Sequence, residues 1–374
     1  RSSLSYELAV HETKFALNIL FDGVFNSFPK SGIHRYFFNL IKHLPNKFRK
    51  YSSSSVTTSQ IPNHFIPYFR HFRPHRFSFS LEYLWFRKMN FSEEIDLIHS
   101  AYYNLSQACR YLIAKDIPHI ITVHDLIHEL FDEKEKQIRE TRQEILQNAK
   151  AIISVSNNTK FDLLNIYPSI PEDKVFVIHH GLGADAWRNS ENNESEHKYL
   201  LYVGHREGYK NFKILMPTLK QLRKKYPLEL IVVGPKPSVI EKELIAKHNL
   251  ESHIKFYGEV TDEKLSGLYS KCIAFVYPSL YEGFGYPIIE SMSKGAIPIA
   301  SKTSCIPEVI GQAGIIVDPN CSNSVVEAVY KIIENENFRK SLKTSSITRS
   351  REFTLEKNVQ ETISLYKKVL SDEI

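Results

Sequence analysis

The chain has 374 residues, 42% of them hydrophobic and 24% charged; this is the balance of a globular protein rather than a disordered or fibrous one, and the length suits two domains that each bury a core. Its longest apolar runs, such as 230–233 and 273–277, fall far short of the roughly 20 residues that a membrane-spanning helix needs. The net charge is only +6, yet the first 110 residues hold 14 Lys and Arg against 7 Asp and Glu, a basic surface open to phosphates, anionic lipid or nucleic acid.

The first thirteen residues lack the charged-then-apolar pattern of a signal peptide, so a cytoplasmic protein is expected. Short apolar runs at 16–21, 119–123, 151–155 and 175–178 read as strands, and 33–43, 133–148 and 157–165 as helices. Residues 51–90 have no clean period. Within them, Phe65 to Lys88 interleaves Phe, Tyr and Trp85 with Arg70, Arg73, Arg76 and Arg87, the makeup of either a domain core with a solvated face or a peripheral membrane contact at the inner face. No recognition helix or RNP-like pattern accompanies it, so nucleic acid is not an expected partner. The polar stretch 189–197 reads as a linker.

Beyond the linker, strands are expected at 199–203, 229–233, 254–257, 273–277, 297–300 and 314–317, with helices at 211–225, 239–247, 262–270, 287–294 and 322–335. Nearly all-apolar strands are those covered on both faces, and their alternation with helices predicts parallel sheets. The fold class is therefore α/β, with two Rossmann-like domains at 1–190 and 191–352 and a ligand cleft at the carboxyl ends of their strands. The four cysteines are widely spaced, which suggests buried thiols rather than a disulfide framework or zinc knuckle.

Chemistry is concentrated after two strands. Glu282 stands at a strand end, Gly283, Phe284 and Gly285 form a turn, Pro287 takes a first helical position, and Glu290 is expected in the first helical turn. Carboxylates accept hydrogen bonds without donating, so the pair suits a ligand rich in hydroxyls; alternatively Glu290 complements the helix dipole and Glu282 is solvated. Arg206 and Lys210 stand four apart at the entry to a helix that Asn211 can cap, an arrangement suited to a diphosphate or, taken alone, to a solvated turn. His124 and His128, also four apart, would fit a metal-dependent hydrolase only with further ligands.

Together these residues resemble glycosyltransferase family 4, retaining enzymes of the two-domain GT-B fold. The resemblance is carried by Val203-Gly204-His205-Arg206 with Lys210-Asn211, by 254–258 followed by 261–265, by 278–290, and by Ile306-Pro307-Glu308-Val309 with 314–319. Weaker matches are Ser31-Gly32-Ile33-His34-Arg35, 96–99, 122–125 and 153–156, and the tail 353–374 resembles a last helix crossing back to the first domain. The resemblance implies that Glu290 binds the donor ribose, Glu282 the transferred sugar, and Arg206 and Lys210 the diphosphate. Gly32 would admit the phosphates, the backbone at Tyr257 and Gly258 would frame the base, and His124 would lie near the sugar and acceptor. It further implies a GDP- or UDP-sugar donor, mannose from GDP-mannose first, no divalent metal or other cofactor, and a glycan or lipid-linked acceptor in surface polysaccharide synthesis. A sugar-nucleotide epimerase is the alternative on the same scaffold.

Overall fold

The computed structural model describes residues 17–23, 31–52, 64–65, 81, 84, 88, 95–101, 105–131, 136–187, 199–206 and 208–373. The linker at 189–197 and nearly all of the segment from Phe65 to Lys88 lie outside them. Among the described residues no helix is long and apolar enough to cross a membrane.

Two all-parallel sheets organise the chain. The first has seven strands in the order β3-β2-β1-β4-β5-β6-β7: β1 (Asn18–Phe21), β2 (Arg49–Ser52), β3 (His64–Phe65), β4 (Leu97–Ser100), β5 (His119–Val123), β6 (Ala151–Ser154) and β7 (Val175–Val177). The second has six in the order β10-β9-β8-β11-β12-β13: β8 (Tyr199–Val203), β9 (Glu229–Val233), β10 (Ile254–Phe256), β11 (Ala274–Tyr277), β12 (Pro298–Ser301) and β13 (Ile315–Val317). Strand order reverses between β1 and β4 and again between β8 and β11, and ligands of such sheets bind at these switch points.

Helices cover both faces. Among the described residues of the first domain they are α1 (Gly32–His43), α2 (Gln107–Ile113), α3 (Ile127–Phe131), α4 (Lys136–Asn148) and α5 (Asn157–Ile166). Ser31 caps α1 by accepting from the His34 N–H at 3.1 Å, and Ser156 caps α5. The second domain has α6 (Leu215–Leu222), α7 (Val239–Lys247), α8 (Asp262–Lys271), α9 (Tyr286–Ser293), α10 (Ile306–Ile310), α11 (Ser322–Glu334) and α12 (Glu336–Ser350).

The last helix, α13 (Leu355–Leu370), returns to the first domain, where Leu355, Val359, Leu365, Tyr366 and Val369 join the core of α1, β1 and β4. Burying aliphatic or aromatic side chains of this size contributes about 1.5–3 kcal/mol each. Two backbone bonds tie the return, Leu182 N–H to the Phe353 carbonyl at 3.0 Å and Leu355 N–H to the Leu182 carbonyl at 2.9 Å.

Three local expectations are corrected. The single helix at 211–225 is two short 3-10 turns, 208–210 and 212–214, leading into α6, so Pro217 falls in the first turn of an α-helix, where its missing N–H costs no bond. Asn211 does not cap by its side chain; in the left-handed conformation (φ 53°) its amide donates to the Pro278 carbonyl at 3.1 Å and the Pro319 carbonyl at 2.7 Å, tying together the loops after β11 and β13. Cys109, Cys272 and Cys305 are buried free thiols, but Cys321 is exposed.

Candidate functional site

The loops at the carboxyl edges of the two sheets touch. Gly283, in the turn between β11 and α9, is pressed so closely on the first domain that a Cβ there would lie 1.7 Å from the His124 carbonyl oxygen. The Gly283 carbonyl accepts from Thr159 Oγ1 at 3.2 Å, and Tyr281 OH donates to Asp162 Oδ2 at 2.7 Å. Only glycine allows this approach.

Gly285 caps α9 with φ 89°, a left-handed geometry that glycine adopts without strain. Helix α9 begins at Tyr286, so Glu290 lies in its second turn rather than its first. That weakens the helix dipole as an account of its charge, since the effect fades within the first turn. Its partner is instead Arg35, in the first turn of α1, whose Nη1 bonds Glu290 Oε1 and whose guanidinium stands 5.4 Å from the Tyr286 ring centre. Burial raises the Glu290 carboxyl above its ordinary range, and Arg35 opposes that rise. Gly32 is the first residue of α1, and a Cβ there would sit 3.6 Å from Tyr286 Cδ2.

Glu282 is buried and its two carboxylate oxygens accept from Lys210 Nζ at 2.7 Å and 2.9 Å. The Leu280 N–H donates to the Tyr209 carbonyl at 2.7 Å, fastening the loop after β11 to the loop after β8. Burial works to lower the Lys210 pKa, but Glu282 and other acids more than compensate and hold it above the ordinary value.

Arg206 is turned elsewhere. Its Nε and Nη2 donate to the Glu241 carboxylate at 2.6 Å and 3.2 Å, and Nη2 also reaches the Lys236 carbonyl at 3.1 Å. The guanidinium lies between the Phe212 and Phe256 rings, 5.6 Å and 5.2 Å from their centres. Lys210 and Arg206 thus serve different carboxylates. Tyr257 and Gly258 follow β10, Tyr257 partly exposed beneath the Lys264 ammonium and Gly258 accepting from the Gly234 N–H at 3.1 Å.

His124 directly follows β5 and stands in a stack of rings, 5.4 Å from His180, which in turn lies 4.6 Å from Tyr286. Burial pushes the His124 pKa down to about 3, so the ring is neutral near pH 7. His128 lies in α3 and is exposed. Among the described residues no three His, Cys, Asp or Glu side chains come together as a metal site would need. Phe284 is a core residue of the domain contact, packed against His179, His180 and Phe353.

Three further residues gain roles here that the sequence motifs did not assign to them. Glu308, in α10, accepts from the backbone N–H of Asn157 at 3.0 Å and of Asn158 at 3.3 Å, capping α5 of the opposite domain, and it pairs with His179 Nε2 at 2.6 Å. Glu241 holds Arg206. Arg35 was visible only as part of a motif, and its position one turn after Gly32 at a helix start is the signal that it faces the cleft.

Residues 184–349 match the family model for glycosyl transferases group 1, and residues 30–185 match that for glycosyltransferase family 4. The chain is 27% identical over 254 residues to O-antigen chain mannosyltransferase B of Escherichia coli, an alignment covering 62% of this chain and 64% of that protein, less than two thirds of the relative's length. A glycosyltransferase from Rickettsia africae superposes with TM-score 0.77 at 18% identity, over 95% of this chain and 98% of that one. HepE of Anabaena, solved in complex with UDP-glucose, superposes with TM-score 0.75 at 17% identity, over 95% of this chain and 100% of that one. These likenesses give the two-domain GT-B fold.

Proposed function

Because the chain belongs to the family 4 type of group 1 glycosyltransferases, nucleotide-sugar-dependent enzymes of the GT-B fold, we propose that it transfers a hexose to a glycan acceptor with retention at the anomeric carbon. Mannose from GDP-mannose is the first candidate donor, and surface polysaccharide the product class. The mannosyltransferase relatives support the sugar and the product; the complex of HepE with UDP-glucose keeps a UDP-sugar as the competing donor.

The observation that carries the reading is the pair of carboxylates, Glu282 and Glu290, each matched to a cation, Lys210 and Arg35, at the contact between the two sheets' carboxyl edges. Acceptor-only groups suit sugar and ribose hydroxyls, and a nearby ammonium suits a diphosphate. In the reaction, the bond from the anomeric carbon to the diphosphate oxygen breaks as the acceptor oxygen attacks from the same face. The hydroxyl proton leaves with the diphosphate. Lys210 stabilises the charge growing on the leaving phosphates, and Arg206 can join it by exchanging Glu241 for phosphate oxygen. With two such cations the reaction requires no divalent metal, and turnover is expected to survive EDTA.

A thermal-shift screen against GDP-, UDP-, ADP- and dTDP-sugars tests the reading, since a ligand that binds the folded state raises its melting temperature. GDP-mannose is expected to give the largest shift. A chain unmoved by every nucleotide sugar would not be a transferase of this kind.

A further inference from the structure

A pocket of about 240 Å³ opens beside the contact between the domains, lined chiefly by His124, Asp125, His128, Glu129 and Arg142 of the first domain and Tyr209 of the second. It is smaller than the roughly 300–1,000 Å³ that enclose a drug-sized molecule, so it has room for a single ring.

Its chemistry is specific. Asp125 Oδ1 accepts from the Ile127 N–H at 3.1 Å, and among the described residues no lysine or arginine forms a direct ion pair with Asp125; the nearby Lys210 ammonium, which also attracts it, is itself paired with Glu282, and the remaining attraction comes from His128. Glu129, by contrast, is matched by Arg142 Nη1 at 3.1 Å and Tyr167 OH at 3.1 Å, so that ion pair is close to neutral and Asp125 is the carboxylate of the pocket without a paired cation, its pKa raised chiefly by burial and lowered in part by the Ile127 N–H and His128. His124 Nε2 is out of contact with solvent and has no hydrogen-bond partner among the described residues. A buried polar atom without a partner costs stability unless a ligand or water meets it.

The rim is aromatic. Tyr209 lines the pocket, and just outside the lining Phe131, 52% exposed, lies 6.2 Å from the Tyr209 ring and 6.0 Å from the Tyr281 ring. Carboxylate and imidazole inside with ring faces at the entrance match a pyranose, which carries hydroxyls on its edges and C–H groups on its faces.

We infer that this pocket binds the terminal sugar ring of the acceptor and that the ring is neutral, because an anionic sugar or a bare lipid phosphate would meet Asp125 as a like charge. The inference rests on the glycosyltransferase reading above and narrows its acceptor. The enzyme then extends an existing neutral glycan, and does not place the first sugar on a lipid phosphate. Asp125 accepts from a ring hydroxyl, and Phe131 stacks on the ring face.

The experiment uses the full chain and the donor found in the thermal-shift screen. Release of nucleoside diphosphate is followed with no acceptor, with methyl glycosides of mannose, glucose, galactose and N-acetylglucosamine, with methyl glucuronide, and with farnesyl phosphate. At least one neutral methyl glycoside is expected to raise release above the acceptor-free rate, while the glucuronide and farnesyl phosphate do not. Phe131→Ala is expected to raise the glycoside KM by about three- to tenfold, the loss of one aromatic stack, with the Kd for the nucleotide unmoved. Asp125→Asn, which retains the oxygen that accepts from Ile127, is expected to let methyl glucuronide in. Farnesyl phosphate or wild-type use of the glucuronide equal to the neutral glycosides would overturn the proposal, as would an unchanged glycoside KM in Phe131→Ala. No turnover of any donor under any condition would instead overturn the transferase reading itself.

Discussion

The guanidinium of Arg35, in the first turn of α1, is paired with the carboxylate of Glu290, in the second turn of α9, across 255 residues of sequence and from one domain to the other. If Glu290 is the ribose ligand, the donor and Arg35 compete for it. Glu290→Gln is then expected to weaken GDP or UDP binding by about 10- to 100-fold, the cost of a hydrogen bond to a charged group. Arg35→Ala is expected to tighten binding, because the share of molecules with a free carboxylate rises. Calorimetric titration of both variants decides; weaker binding in Arg35→Ala would mean that Arg35 itself touches the nucleotide.

Lys210 and Glu282 form a buried pair, so removing one partner leaves a charge without a counterion. Lys210→Met is expected to destabilise the chain by about 3–5 kcal/mol and to lower kcat by about 100-fold or more, the usual loss when a donor to developing charge is removed. Adding Glu282→Gln is expected to restore most of the melting temperature but none of the rate. A double variant with near-normal turnover would show that the pair serves folding alone.

Gly283 lets the second domain rest on the His124 backbone. A methyl group there would lie 1.7 Å from the His124 oxygen, a clash that the main chain of two domains must move to relieve. Gly283→Ala is therefore expected to cut kcat at least tenfold, on the order of the loss from an ångström-scale misplacement of reacting groups. Near-normal kinetics would mean that the contact opens before chemistry.

Several histidines are buried in neutral form. Burial lowers the pKa of His99 to about 3 and of His119 to about 4, from an ordinary 6.5. The unfolded chain therefore takes up protons first, so stability is full above pH 6.5 and falls as the pH drops toward these folded-state values. Glu308 adds to the acid side. Burial would raise its carboxyl, but His179 and the Asn157 donors outweigh it and hold the carboxyl below 4.5. Its contribution is thus present above about pH 4.5 and is lost as the pH falls through the folded value. Urea midpoints measured from pH 7.5 to 4 should decline below 6.5, and Glu308→Gln should flatten the final part of that decline. A midpoint constant from pH 7.5 to 5 would contradict the histidine argument.

Much of the architecture is legible in the sequence because a parallel strand covered on both faces must be apolar along its length. The runs at 119–123, 199–203 and 229–233 coincide with β5, β8 and β9. Elements without such a signal escaped: β2 carries Arg49 and Lys50, and α12 buries Leu342, Ser346 and Ser350, a stripe too polar to read as a helix face.

The sequence by itself determined the reaction family and which loops hold the chemistry, because glycines, carboxylates and cations at strand ends are local patterns. Only the tertiary structure decided their partners: Glu290 with Arg35, Glu282 with Lys210, Arg206 with Glu241, and Glu308 with the start of α5. These pairings arise where segments distant in sequence meet in the folded chain, two of them where the carboxyl edges of the two sheets are pressed together, and no period or spacing along the chain encodes that meeting.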